Sequence, residues 1–164
     1  MSEGEWNMSK STGVNSTQVG GDHYKTAETQ HWDVMADYHV HYLCANATKY
    51  IVRARRKNGA QDYEKALHYI EKAIDWLGVP AETSSSWRLM PHDVPVKVVY
   101  ELAQAYQLSE DEIDVLFLLL SDSATARELS KARDIVTRMI YKLSAPVVED
   151  CSLHALQPPD RDDA

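Results

Sequence analysis

Two amphipathic segments, separated by Asn58 and Gly59, constrain the fold of this chain more than any other feature of its sequence. At an advance of about 100° per residue, each segment places its apolar side chains on one stripe of a helix. The first helix is predicted over 41–57 and the second over 62–77. A short glycine-containing link between two helices favours an antiparallel hairpin. The predicted core stripes are Leu43, Ala47, Ile51 and Ala54 on the first helix, and Tyr63, Leu67, Ile70, Ile74 and Leu77 on the second.

The rest of the chain also carries helical patterns. A short helix is predicted over 32–38, and longer ones over 96–107 and 124–143. Ser109 and Glu112 have the spacing of a capping box, which predicts that a further helix begins there. No alternating pattern is long enough to predict a strand. The predicted fold class is all-α, a helical hairpin core with additional C-terminal helices and disordered N- and C-terminal tails.

Composition divides the chain into successive segments. Residues 1–17 are polar and predict a disordered tail, and residues 18–78 contain the motifs discussed below. Residues 79–95 form a linker with several prolines, and residues 96–145 form the C-terminal helical region. Residues 146–164 are expected to be a second disordered tail.

The net charge of −8 is unevenly distributed along the chain. Proteins that bind long nucleic acids are usually basic, so no stable nucleic-acid binding is expected. A dense basic segment nevertheless runs from Lys49 to Lys57, and such a segment suits a small anionic ligand. The two cysteines, Cys44 and Cys151, are too few for a disulfide scaffold, and no apolar run is long enough to span a membrane. These features predict a cytoplasmic protein without a membrane segment.

Polar side chains form a stripe beside the apolar stripe of the first predicted helix. They are Asn46, Lys49, Tyr50, Arg53 and Lys57. Arginine and lysine suit phosphate oxygens, and cations this close repel one another unless anions lie among them. A solvated helix face explains the stripe equally well.

A glycine-containing loop precedes these helices. Gly20 and Gly21 allow close backbone approach to an anion, while Asp22, His23 and Tyr24 supply acid–base and aromatic groups. Taken alone, the loop is better explained as a tight turn capped by Asp22.

The second predicted helix carries its own polar side, which consists of Asp62, Lys65, Tyr69 and Lys72. Taken alone, these residues are best explained as a helix cap and surface salt bridges. In an antiparallel hairpin, however, they could face the same cleft as the stripe on the first helix. The sequence contains no P-loop and no dinucleotide-binding glycine pattern. His39 and His41 would point apart on a helix, so they are not expected to share a metal.

In order along residues 18–77, these motifs resemble a small family encoded by tailed bacteriophages, the SaV-like phage proteins. The ordered set is Val-Gly-Gly-Asp-His-Tyr-Lys, Trp-Asp, Asn-x-x-Lys-Tyr-x-x-Arg, Lys-Asn-Gly, Asp-x-x-Lys-Ala and Tyr-Ile-x-Lys. The characterised members of that family are deoxynucleoside monophosphate kinases without a P-loop. The resemblance implies transfer of a phosphoryl group from a (deoxy)nucleoside triphosphate to a monophosphate such as dTMP or dGMP.

The resemblance also implies which residues form the site. The implied catalytic residues are Asp22, His23, Lys49 and Arg53. The implied substrate-binding residues are Gly21, Tyr24, Asn46, Tyr50, Lys57, Asp62, Lys65 and Tyr69. The cofactor is then a nucleoside triphosphate donor, with Asp22 as the candidate ligand of Mg²⁺. A small cleft can be shared between subunits, so the expected partners are nucleotides and further copies of the chain.

Three other functions fit parts of the sequence. The same cleft could bind nucleotides without catalysis. An all-α nucleoside triphosphate pyrophosphohydrolase needs clustered carboxylates for magnesium, and Glu64, Glu71 and Asp75 share a helical face. The helical second half, with the apolar run 116–120, could bind a host protein, although burial in the core is the simpler explanation for that run.

Overall fold

The fold was analysed in a computed structural model, which describes residues 29–78, 93–122 and 124–145. Within these ranges the secondary structure is entirely helical, which confirms the all-α prediction. The helices are α1 (His31–Asp37), α2 (Tyr42–Ala54), α3 (Ala60–Leu77), α4 (Val96–Tyr106), α5 (Glu110–Leu120) and α6 (Ala126–Ser144). The two predicted tails and most of the predicted linker lie outside the described residues. None of the described helices combines the length and apolar composition that crossing a membrane requires.

Helices α2 and α3 form the predicted hairpin, but α2 ends at Ala54 rather than at Lys57. The carbonyl oxygen of Ala54 accepts hydrogen bonds from the backbone N–H groups of Lys57 and Gly59, at 3.2 and 2.9 Å. These bonds close the helix with a turn instead of extending it. Gly59 then adopts φ +52° and ψ −122°, a conformation that favours glycine, and caps the start of α3.

A single hydrophobic core joins the hairpin to the C-terminal helices. Helix α3 packs against α2 on one side and α6 on another, while α5 packs against α6 and α2. Small side chains allow these helices to approach closely, and Ala47, Ala66, Ala73 and Ala132 are fully buried. Most of the predicted core stripe is buried, whereas Leu43, Leu67 and Ile74 are half-buried against the core. Leu116, Leu119 and Leu120 are also buried, so the apolar run of α5 belongs to the core.

The predicted capping box at the start of α5 is confirmed, and it does more than cap the helix. Glu112 is fully buried, and its Oε2 accepts hydrogen bonds from the backbone N–H and the hydroxyl of Ser109, at 2.7 and 2.8 Å. Its Oε1 accepts a 2.7 Å hydrogen bond from the hydroxyl of Tyr63 on α3. Arg55, just after α2, lies 3.4 Å from Oε2 through its Nε. One carboxylate therefore connects α2, α3 and α5.

Candidate functional site

The two predicted polar stripes meet across the hairpin, and the closest contact joins Arg53 to Asp62. The Nε and Nη2 atoms of Arg53 each donate a 3.0 Å hydrogen bond to a different carboxylate oxygen of Asp62. Asp62 is fully buried and Arg53 nearly so. The bidentate geometry fixes the plane of the guanidinium group and is the strongest arrangement of such a pair.

Two further donors hold the same carboxylate. Oδ1 of Asp62 accepts from the side-chain amide of Asn58 and the ammonium of Lys65, both at 3.3 Å. Burial acts to raise the pKa of Asp62, but the hydrogen bonds from Arg53 and Asn58 and the charge of Arg53 outweigh it, so the pKa lies below its ordinary value. Asp62 is therefore ionised at neutral pH and holds these side chains in place.

Aromatic rings cover the outer side of this pair. The guanidinium carbon of Arg53 lies 4.4 Å from the ring centre of Tyr50, and the Lys65 ammonium lies 5.6 Å from it. The ring of Tyr50 stacks on that of Tyr69, with centres 5.7 Å apart and planes 20° from parallel. Cations at these distances are attracted to the face of an aromatic ring.

Tyr42 extends this aromatic surface by one ring. It meets Tyr69 edge to face, with ring centres 6.3 Å apart. A hydrogen bond with Tyr42, followed by burial, raises the pKa of Tyr69, so the Tyr69 ring is a neutral phenol at physiological pH. We refer to Tyr42, Tyr50, Arg53, Asp62, Lys65 and Tyr69 as the tyrosine–arginine cluster.

Asn46 and Lys49 lie on the same side of α2 but next to α1. The amide nitrogen of Asn46 donates a 2.9 Å hydrogen bond to the carbonyl oxygen of Tyr42, one turn earlier. Lys49 is half-buried, and its ammonium forms no ion pair within the part of the chain that the structure describes. Both residues border a small cavity between α1 and α2.

The basic segment divides into residues that lie on the predicted stripe and residues that contact other helices. Arg55 and Arg56 donate hydrogen bonds to the carbonyl oxygens of Gln107 and Ala105, at 3.1 and 3.0 Å, and so neutralise the C-terminal end of α4. Lys57 lies in the turn after α2 and is exposed, so its predicted place on the stripe is wrong. Lys49 and Arg53 are the members of the segment that keep the predicted position.

Metal ligation was also considered for the described residues. Among them, no group of three or more histidine, cysteine or acidic side chains is placed to hold a metal ion. His41 caps α2 by accepting a 3.3 Å hydrogen bond from the Leu43 backbone N–H, and its ring packs on Trp76. Asp75, one of the carboxylates that a pyrophosphohydrolase would require, pairs with Lys72 at 2.6 Å. The predicted loop residues Gly21, Asp22, His23 and Tyr24 lie outside the described residues.

Sequence reasoning missed two members of this region. Asn58 was interpreted only as a helix stop, yet its side chain binds Asp62. Tyr42 precedes Asn46 and Tyr50 by one and two helical turns, so the four-residue spacing of the stripe already pointed to it. Extending the stripe by one turn toward the N-terminus would have found Tyr42.

Comparison with known proteins gives one match. Residues 17–71 match the model of a family described as a protein of unknown function (DUF3310). No curated protein and no solved structure matches the chain. The matched range contains every predicted site residue, from Gly21 to Tyr69, as well as Asn58 and Tyr42. Over this range, the chain is thus similar to a family whose description states no activity.

Proposed function

We propose that this protein is a phage nucleotide kinase that uses a (deoxy)nucleoside triphosphate to phosphorylate a deoxynucleoside monophosphate, with dTMP and dGMP as the first candidates. In this reaction an oxygen of the acceptor phosphate bonds to the γ-phosphorus of the donor. The bond from that phosphorus to the β–γ bridging oxygen breaks, and two nucleoside diphosphates result. The observation that carries the proposal is the tyrosine–arginine cluster, which puts stacked rings beside fixed cations.

The charge balance of the site suits phosphate. Lys49, Arg53 and Lys65 bring three positive charges to one side of the hairpin, and Asp62 is the carboxylate that pairs with two of them. Phosphoryl transfer depends mainly on positioning and on neutralising the phosphate oxygens. Cations that are held in place on this side of the hairpin meet that requirement.

We propose roles for the site residues that take their contacts into account. Arg53 is held by Asp62, so Asp62 acts as a positioning residue rather than as a substrate ligand. Lys49 is the residue best suited to contact the phosphoryl group during its transfer, since its ammonium forms no ion pair with a described carboxylate. Tyr50 and Tyr69 offer the ring surface on which a base can stack, and stacking of this kind tolerates different bases.

Both oxygens of Asp62 accept hydrogen bonds from neighbouring side chains, so Asp62 does not fit a magnesium ligand. Asp22 remains the proposed ligand of Mg²⁺, and His23 remains the proposed acid–base group. Magnesium bound there would neutralise the triphosphate of the donor.

The test is transfer of radiolabel from the γ-phosphate of a triphosphate to a panel of deoxynucleoside monophosphates, with and without magnesium. Wild-type protein should form a labelled diphosphate, and Lys49→Ala should lower its rate about 100-fold, as expected for losing one transition-state cation. Lys72→Ala, which removes an exposed lysine from α3, serves as the matched control and should retain the wild-type rate.

Other outcomes would reject the proposal in different ways. Release of pyrophosphate without a labelled diphosphate would identify a pyrophosphohydrolase. Nucleotide binding without turnover would identify a binding protein. Normal turnover by Lys49→Ala would show that the phosphates lie elsewhere.

We further propose that the protein is a homo-oligomer in the host cytoplasm. Tyr42 and Trp76 are large side chains that are mostly exposed, and they lie at the same end of the hairpin, where the Trp76 ring packs on His41, the residue before Tyr42. Light scattering after size exclusion would measure the mass directly, and a mass of one chain at micromolar concentration would contradict the proposal.

A further inference from the structure

A cavity of about 200 Å³ lies between α1 and α2. Trp32 and Met35 border it from α1, and Ala45, Asn46 and Lys49 border it from α2. Four residues, about one helical turn or 6 Å, separate Lys49 at the cavity from Arg53 in the tyrosine–arginine cluster. The cavity and the cluster therefore adjoin the same row of cations on α2.

The inner wall of this cavity is rigid and uncharged. His31 is buried, and its Nε2 lies 2.9 Å from the hydroxyl of Thr48, which donates to the carbonyl oxygen of Cys44 at 3.0 Å. Because the hydroxyl hydrogen of Thr48 is used in the bond to Cys44, the His31 Nε2–H donates to the Thr48 oxygen. Burial, with a smaller effect from Lys49, lowers the pKa of His31 to about 3, so the ring is neutral. Lys49 thus supplies the positive charge among the described residues that border the cavity.

The chemistry of the border suits an aromatic ring with polar edges. Trp32 is 46% exposed, which is unusual for a tryptophan beside a cavity that could bury it. Met35 and Ala45 add apolar surface to the border of the cavity. The hydrogen bond from Asn46 to Tyr42 fixes its amide, and the Oδ1 acceptor takes no part in that bond. These side chains can stack on a nucleotide base and form hydrogen bonds with its edge.

The cavity and the tyrosine–arginine cluster differ in size and in charge. Pockets that bury whole drug-sized ligands measure about 300–1,000 Å³, so this cavity suits one ring system rather than a complete nucleotide. Among the described residues that border it, Lys49 carries the one charge, which matches the single phosphate of a monophosphate. The tyrosine–arginine cluster is open and carries both Arg53 and Lys65, which better matches a triphosphate.

We propose that the cavity bordered by Trp32 binds the base of the acceptor monophosphate, while the donor triphosphate binds over Tyr50 and Tyr69. The two phosphate chains then meet above Lys49 and Arg53. This inference rests on the proposed kinase function, and it adds a second nucleotide subsite with Trp32 as its stacking residue. Trp32 is a substrate-binding residue in this arrangement and takes no part in the chemical step.

The experiment compares Trp32→Ala with Tyr141→Ala, since both side chains are exposed aromatic rings and Tyr141 lies on α6, away from the cavity. Loss of one base-stacking ring should raise the KM for dTMP or dGMP about tenfold or more and leave the KM for ATP unchanged. Trp32→Phe keeps an aromatic ring and should recover most of the affinity. Tyr141→Ala should change neither KM.

A binding measurement separates this inference from the kinase proposal. Calorimetric titration of the wild-type protein with dTMP, dGMP and ATP needs no turnover. If no phosphoryl transfer occurs, weaker monophosphate binding by Trp32→Ala, with unchanged ATP binding, would still support the subsite. An equal loss for monophosphate and ATP, no loss for either, or no monophosphate binding by the wild-type protein would overturn it.

Discussion

Asp62 is the residue on which the arrangement of the candidate site depends most. A buried carboxylate is costly unless donors surround it, and here Arg53, Asn58 and Lys65 provide them. The same donors would lose their common acceptor if the charge of Asp62 were removed. At this scale, the local geometry of the site depends on one ion pair that joins two helices.

Replacing Asp62 by asparagine should therefore destabilise the protein strongly. We expect the free energy of unfolding to fall by about 3 kcal/mol, because the nearly buried Arg53 loses the charged, bidentate partner that Asp62 provides. Urea denaturation followed by circular dichroism measures this change. Asp75→Asn is the control: that carboxylate is exposed, and its loss should leave the urea midpoint in place. Equal midpoints for wild type and Asp62→Asn would contradict the role given to this pair.

His31 should make stability depend on pH. Its pKa is about 3 in the folded protein against 6.5 in an unfolded chain, so the unfolded state takes up the proton first as the pH falls below 6.5. The contribution of His31 to the free energy of unfolding is fully present above pH 6.5 and is lost progressively as the pH falls toward 3.

Between about pH 7.5 and about pH 5, the loss attributable to His31 should be about 2 kcal/mol. Urea unfolding of wild type and His31→Gln at both pH values checks it, because glutamine can still donate to Thr48 but does not titrate. The lowered pKa of Asp62 places its titration below 3.8, outside this range. An identical pH dependence of the two proteins would refute the prediction.

The link between α2 and α3 is the element that brings the two stripes together. The sequence predicted both helices because their apolar periodicity is strong, and it predicted the hairpin because the link is short. It could not predict that Arg53 meets Asp62, since that contact depends on where α2 unwinds and on the backbone angles of Gly59. The roles of Arg55 and Arg56 were equally hidden, because their partners on α4 are about fifty residues away.

Replacing Gly59 by alanine tests the importance of this link. A side chain at φ +52° and ψ −122° should cost about 2 kcal/mol or more, although an added Cβ would meet no atom within 4 Å. Gly78→Ala is the matched control, since φ +64° and ψ 17° is the milder left-handed conformation and should cost about 1 kcal/mol. Thermal and urea unfolding measure the loss of stability in each variant. A larger loss for Gly78→Ala than for Gly59→Ala would contradict the importance given to the link.

At the scale of the whole molecule, the hairpin and the C-terminal helices form one hydrophobic core. The sequence anticipated helices in both halves and placed them in separate segments. It gave no indication of their shared core, because packing partners far apart in sequence leave no local pattern. Ile70 and Ala73 on α3 and Ala132 and Val136 on α6 are all buried in the same cluster.

A fragment of residues 1–78 should therefore not fold on its own. Without α4–α6, buried side chains such as Tyr63 and Ile70 would face water, and Tyr63 would lose its acceptor Glu112. We expect weak helicity by circular dichroism and no cooperative urea transition. A cooperative transition in the fragment would show that the hairpin is an independent unit.

The position of Glu112 also limits how the hairpin can be reused. Two of its partners, Arg55 and Tyr63, lie inside the segment 17–71 that matches the family model, while Ser109 and Glu112 itself lie outside it. Grafted onto a different set of helices, the segment would bring the buried hydroxyl of Tyr63, which requires an acceptor, whereas water can solvate the exposed guanidinium of Arg55. The segment therefore fits only helices that offer an acceptor at this point, and sequences that combine it with other helices should carry a compensating change at Tyr63.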